Sequence, residues 1–332
     1  MNFKKKLIDY KNSFSKNKYL NKILKYKINT VVVCFHRVID DESFKYQNNR
    51  PNDDLVVSSS IFEKQIKFIN DHFNPISIDN IYQDNNLKNN RIIITFDDGY
   101  RDNIINALPI LEKYNCPAII YVTTGFIDNK HTAWWIKIWD IILNFNEITF
   151  ENKKIDLDTF EKKKRIYFFF RKKFFLMKIH QINKILNEIA DSVNYIENKN
   201  KTFMELEDIK KLKFNKLIQL GCHTHMHQNL KILNKNELNE EIFKSKQILE
   251  SNLDKKIKHF SIPFGTNNTF SPTVIDAINK FEFNTIVTTE HDVFKKKSKI
   301  IPRIGIGNND IGNKLYAKLS GLDSLINKIL KR

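Results

Sequence analysis

Short runs of β-branched and aliphatic residues alternate with amphipathic stretches along most of this 332-residue chain. Thr30–Phe35, Ile92–Phe96, Ala118–Val122, Leu217–Leu220, His259–Ile262, Thr285–Val287 and Ile300–Ile301 are near-continuous apolar runs of strand length and read as buried strands. Between them, helices are expected over Ser60–His72, Asp102–Tyr114, Glu237–Asn252 and 272–280, where apolar residues recur at three- and four-residue spacing. Pro109 is expected to kink the second of these. Strands apolar on both faces belong in a parallel sheet covered by helices, open or closed into a barrel. In such folds the working loops gather at the carboxyl ends of the strands.

The rhythm fails between about 129 and 210. That stretch opens on His131-Thr132-Ala133-Trp134-Trp135, holds all three tryptophans, and runs on into Lys-rich helical segments such as Tyr167–Arg171. It reads as a helical insertion at 129–210 between two strands, leaving 29–128 and 211–312 as the α/β barrel. Its aromatics suit either a ligand cleft or simple packing onto the barrel. Residues 1–28 interleave Phe3, Leu7, Ile8, Phe14, Leu20, Ile23 and Leu24 with lysines, a basic N-terminal arm able to lie on anionic lipid. Residues 313–332 read as a C-terminal amphipathic helix, docked on the domain's own surface.

Composition narrows the class. Hydrophobic content of 41% and charged content of 28% are those of a globular protein. A formal net charge of +17 favours anionic partners, either an anionic membrane surface or a phosphate- or pyrophosphate-linked sugar. No nucleic-acid partner is expected, because no stretch matches a nucleic-acid-binding module. Cys34, Cys116 and Cys222 are too few and too scattered for a disulfide framework, which fits a reducing compartment. With no apolar run of about 20 residues and no signal-peptide core, the expected location is cytoplasmic, at most peripheral to the inner membrane face.

Two strings carry the chemistry: Thr95-Phe96-Asp97-Asp98-Gly99 and His223-Thr224-His225-Met226-His227, each just past a predicted strand. One Asp and two His can hold a divalent cation with positions left open, while a second Asp stays free as a base. If the strand geometry persists, Asp97 and Asp98 point to opposite sides, and Gly99 permits the turn that follows. His223 and His227, four apart, can converge on one ion, with His225 pointing away. Two His and one carboxylate also suit Fe(II) oxidation, but the spare carboxylate favours hydrolysis. Cys222 beside the histidines reads either as a soft ligand or as a buried strand cysteine. A third strand-end loop, Pro263-Phe264-Gly265, offers the Phe264 N–H as an oxyanion donor.

In this order the residues resemble the polysaccharide deacetylase family, the NodB-homology hydrolases of carbohydrate esterase family 4. Cys34-Phe35-His36-Arg37-Val38, Gln228-Asn229-Leu230 and Pro302-Arg303-Ile304-Gly305 add to the likeness. The resemblance implies a distorted (β/α) barrel that removes acetyl groups from N-acetylated sugars of a polysaccharide or its lipid- or nucleotide-linked precursor. By position, Asp98, His223 and His227 hold one divalent metal ion, taken as zinc, and Asp97 is the general base. Pro263 and Phe264 form the substrate and oxyanion loop. Two departures stand out. Ser261 occupies the place where many members carry the arginine that partners the base, so Arg303, or more weakly Arg37, is expected to supply that charge. The late Leu-x-His motif is absent, which leaves His36 and His291 as available imidazoles, with His36 preferred as a catalytic residue because it ends a strand. These losses motivate a second reading, a non-catalytic carbohydrate-binding protein on a decayed deacetylase fold.

Overall fold

The computed structural model describes residues 30–46, 55–83, 90–197, 201–290, 294 and 298–320. The amphipathic arm expected over 1–28, His291 and the last twelve residues of the expected C-terminal helix lie outside these. The described part of that helix is Gly312–Leu319.

The main sheet has nine parallel strands; eight form its path, β1 (Thr30–Phe35), β2 (Arg91–Phe96), β3 (Ala118–Val122), β4 (Ile218–Cys222), β5 (His259–Ser261), β6 (Thr285–Val287), β7 (Ile300–Ile301) and β8 (Ile304–Gly305), and the short Asn74–Pro75 pairs with β2 off that path. Their order in the sheet is sequential, except that β8 lies beside β1 at the far edge from β7. Only Pro302 and Arg303 separate those two edge strands in the chain. Laid flat, eight strands would span roughly 33 Å, while the step from Ile301 to Ile304 reaches about 11 Å at most. The sheet must therefore curl until its edges nearly meet. This is the distorted (β/α) barrel, left unclosed because β7 and β8 are not hydrogen-bonded to each other.

Strand residues alternate between two cores. Val31, Val33 and Phe35 of β1 and Ile92, Ile94 and Phe96 of β2 pack outward in one cluster. That cluster includes Phe62, Ile66 and Ile69 of the helix Ser59–His72 and Leu238, Ile242 and Leu249 of the helix Lys235–Leu253. Val32, Ile93, Ile119, Tyr121, Val287 and Ile301 fill the inside. The inward phase continues through Cys34, Thr95 and Asp97, so the barrel interior turns polar at the carboxyl ends of its strands.

Two elements differ from expectation. The helix predicted over Asp102–Tyr114 opens with a π-helical turn, Asn103–Ala107, and becomes α-helical only over Leu108–Lys113. Pro109 has no N–H for the carbonyl four residues back, and a widened turn absorbs the missing bond. The stretch expected as a helical insertion contains, besides helices Trp134–Asn144, Phe160–Phe174 and Ile179–Ser192, an antiparallel hairpin of Glu147–Phe150 and Lys153–Asp156. Its two-residue turn puts Glu151 and Asn152 at φ 50° and 60°, the conformation that keeps tightly paired strands in register. These elements share a core of their own around Trp134, Ile138, Phe170, Phe174 and Leu186. Met204, Ile209 and Leu212 pack instead with the barrel's outer cluster.

A polar chain ties the amino-terminal end of the barrel together. His259 Nδ1 lies 2.8 Å from Thr285 Oγ1, His259 Nε2 lies 3.0 Å from Asp79 Oδ1, and Gln219 Nε2 donates to Asp79 Oδ2 at 2.6 Å. The His259 hydrogen bond, against partial burial and with help from Gln219, brings the Asp79 carboxyl down to about 2. A depressed carboxyl stabilises the fold above its unfolded value near 3.9 and loses that contribution as pH falls through the folded value. Asp79→Asn is therefore expected to lower the thermal unfolding midpoint at pH 7. The difference from the parent protein should shrink steadily between about pH 4 and pH 2; a gap that stays constant with pH would refute this account.

Candidate active site at the carboxyl ends of the strands

The strand geometry does not persist past Asp97. Asp98 adopts φ 72° and Gly99 φ 77°, a reversal that a non-glycine residue seldom makes. The two carboxylates therefore do not face opposite sides. Asp98 Oδ1 lies 3.5 Å from His223 Nε2 and 3.2 Å from His227 Nε2, and Asp97 Oδ2 lies 4.0 Å from the same His223 Nε2. Gly99 is needed for a second reason, since a Cβ there would meet Val122 Cγ1 at 3.1 Å.

His223 continues β4, its N–H donating to the Val122 carbonyl at 3.0 Å. Its Nδ1 is 2.9 Å from the Ser261 carbonyl oxygen. A carbonyl only accepts, so in the neutral ring Nδ1 carries the proton and Nε2 presents a lone pair toward Asp98. Asp98 Oδ1 is itself buried and has no hydrogen-bond partner among the described residues. A lone pair opposite an ionised, desolvated oxygen is repulsive unless a positive charge lies between them. Donors held about 2.1 Å from a tetrahedral cation stand roughly 3.4 Å apart, close to the two separations measured here. Asp98, His223 and His227, all buried, thus fit a divalent cation, and their ligand atoms lie within 4.8 Å of one another.

Beside this cluster sits Arg303, completely buried at the seam between β7 and β8. All five of its N–H groups are used. Nε donates to Thr288 O at 3.0 Å, Nη1 to Thr95 Oγ1 at 3.0 Å and Asp97 Oδ1 at 2.7 Å, and Nη2 to Asp97 Oδ2 at 2.5 Å and Ser261 Oγ at 3.0 Å. Ser261 Oγ in turn donates to Asp97 Oδ1 at 3.2 Å. Ser261 therefore leaves room at β5 for a guanidinium that arrives from the seam. Burial pushes the Asp97 carboxyl up, but Arg303 and His223 outweigh it and hold the carboxyl well below the usual carboxylate range. Arg37 does not take part, because its Nε is paired with Asp102 at 2.8 Å.

The other expected residues fall around these. His36 and Cys34 line the cavity, with a His36 ring nitrogen within 4.8 Å of Cys34 Sγ and an Asp97 oxygen. Burial lowers the His36 imidazole below its ordinary value, against the pull of Asp98 and Asp97. Phe264 sits at φ 60° with its ring 4.7 Å from that of His227, and Pro263 is buried behind it. Cys222 packs in the outer cluster, and His225 turns away to Thr124 Oγ1 at 3.0 Å. One residue was not legible beforehand. Glu241, inside the long helix Lys235–Leu253, accepts the N–H groups of His225 and Met226 at 3.0 and 2.8 Å and the Gln228 amide at 2.8 Å, pinning the loop that carries His227.

The site opens into a cavity of about 770 Å³ whose far wall is the insertion. Trp135 places its ring 4.8 Å from that of His227 and donates Nε1–H to Tyr100 Oη at 3.0 Å. Trp134, Trp139, Tyr167, Arg171 and Phe175 continue the wall. The aromatics therefore both pack the insertion and line the cleft.

Fold and cluster together define a (β/α)-barrel enzyme with its working groups on the loops after the strands. The sequence profile of the Polysaccharide deacetylase family matches residues 84–286, more than half of the chain, and the chain belongs to that family of hydrolases. YxkH of Bacillus subtilis (strain 168) is 43% identical over 49 residues, a stretch that spans 15% of this chain and 18% of the relative's length. The Streptococcus pyogenes deacetylase PplD, solved with acetate, superposes with TM-score 0.57 at 17% identity, covering 87% of this chain and 97% of that one. BC0361, a polysaccharide deacetylase from Bacillus cereus, gives 0.58 at 17% identity over 87% and 68% of the two chains. IcaB from Ammonifex degensii gives 0.57 at 15% identity over 88% and 97%. At these identities the structural likeness speaks to the barrel alone.

Proposed function

We propose that this chain removes acetyl groups from N-acetylated sugars of a polysaccharide or of its lipid- or nucleotide-linked precursor. In this reading Asp98, His223 and His227 hold one divalent cation, zinc by its ligand set. The single observation that carries the reading is the unpartnered, buried Asp98 oxygen between two imidazole Nε2 atoms, with a second, separately anchored carboxylate 4.0 Å from one of them. The names of the similar structures, deacetylases and a polysaccharide deacetylase, agree with it.

A cation held there supplies Lewis-acid polarisation of the acetyl carbonyl and acidifies water. Asp97, kept ionised and aimed by Arg303 and Ser261, accepts the proton of the attacking water. The Phe264 N–H is assigned as the donor to the developing oxyanion. The C–N bond then breaks to acetate and a free amine, and the amine takes up the proton carried by Asp97. His36, with a ring nitrogen within 4.8 Å of an Asp97 oxygen, is the other imidazole at hand for that proton.

The test is acetate release from N-acetylated oligosaccharides and their pyrophosphate-linked forms by zinc-loaded protein, read beside the metal content of Asp98→Ala. Close to one equivalent of metal in the parent chain, near none in the variant, and acetate from the parent alone are the expected results. A variant that keeps its metal, or a metal-loaded parent that releases no acetate from any donor, would overturn the reading.

A further inference from the structure

The helix Phe160–Phe174 has two different long faces. Tyr167 and Arg171, one turn apart, point into the cavity, and Tyr167, Phe170 and Phe174 are buried in the insertion's core. On the side of the helix opposite these buried residues, and continuing past its end, lie Arg165, Phe168, Phe169, Lys172 and Leu176, all exposed. Phe168 is 41%, Phe169 47% and Leu176 67% exposed. Residues 165, 168, 169, 172 and 176 share one side at three- and four-residue spacing.

The stripe's charge is as unusual as its exposed rings. The helix carries seven basic residues, Lys162, Lys163, Lys164, Arg165, Arg171, Lys172 and Lys173, against Glu161 alone. Lys162 and Lys173 are neutralised by Asp156 and Glu151. Arg165 and Lys172, which flank the two exposed phenylalanines, form no ion pair among the described residues. A second copy of this chain is a poor occupant, because a two-fold contact on this stripe would oppose like charges. An anionic bilayer suits both features: rings and Leu176 enter the acyl boundary while the guanidinium and ammonium groups stay among acidic headgroups. Among the described residues no helix is long and apolar enough to cross a membrane, so the mode is lying on the surface rather than spanning it.

We propose that the exposed face of Phe160–Phe174, continued through Leu176, is a peripheral docking surface for an anionic phospholipid bilayer. This proposal stands whether or not the chemistry above is correct.

The experiment is sedimentation of the full chain with vesicles of phosphatidylcholine containing 30% phosphatidylglycerol, and with pure phosphatidylcholine vesicles. Binding is expected to the first and to weaken as salt is raised. Arg165→Gln and Lys172→Gln should each reduce partitioning about five-fold, and Phe168→Ala with Phe169→Ala should reduce it by at least as much. Circular dichroism and metal content serve as fold controls. Because the basic segment before residue 30 stays in place, unchanged binding by these variants would assign binding to that segment and overturn the proposal. It would also be overturned by a dimer that the variants dissociate, or by retention on single-stranded DNA without retention on vesicles.

Discussion

Asp97→Asn is expected to lower kcat for acetate release by about 10²- to 10⁴-fold, the range that removal of a positioned base commands, with little change in KM. The substitution keeps the side chain's volume. It keeps one oxygen for Arg303 and Ser261, and it leaves Asp98, His223 and His227 as they are. Metal content should therefore equal that of the parent chain. The variant also turns one half of the Asp97–Arg303 pair from a charge-assisted contact into an N–H facing an N–H, so some stability is lost together with the rate. Both readouts are needed to separate the two effects. A variant folded by circular dichroism, holding one cation and turning over within ten-fold of the parent rate, would show that Asp97 is not the base.

The parts of this molecule that could be read from its sequence are those where a single residue type has few uses. Runs such as Thr-Val-Val-Val-Cys-Phe and Arg-Ile-Ile-Ile-Thr-Phe have no polar face to show to water and so had to be interior strands of a parallel sheet. Their ends, where Asp97, Asp98, His223 and His227 stand, followed from that placement. Arg303 was legible only through the family resemblance, as a charge from another strand end standing in for the arginine that many members carry at the place of Ser261. The reversal at Asp98 was not, because a positive φ at aspartate depends on what the carboxylate meets afterwards. Neither was the hairpin at 147–156, whose strands are four residues long and bury little beyond Ile148 and Phe150. Glu241 was hidden by its setting: a carboxylate on a charged helix reads as solvated, and only the folded loop brings two backbone N–H groups to it.

Arg303→Met should produce a comparably large effect, this time on the fold. The native guanidinium answers five acceptors at once and is the counter-ion of a buried carboxylate. Removing it strands Asp97 among Thr95, Ser261 and Cys34 with one hydroxyl and one weak thiol donor. Breaking one side of a buried pair costs about 3–5 kcal/mol, mostly because the surviving charge has lost its solvation twice over. Urea unfolding of the metal-free protein measures this directly, without a bound cation to compensate Asp97. Arg303→Lys should recover little, since a single ammonium cannot reach both carboxylate oxygens, the Thr95 and Ser261 hydroxyls and the Thr288 carbonyl together. The decisive comparison is the double variant. If the loss comes from an uncompensated carboxylate, adding Asp97→Asn to Arg303→Met must restore part of the stability, although each change alone is harmful. If the loss instead reflects only the seam between β7 and β8, where Arg303 also holds the Thr288 carbonyl, the second change will add its own damage. Hydrogen exchange would then locate that damage in the two edge strands.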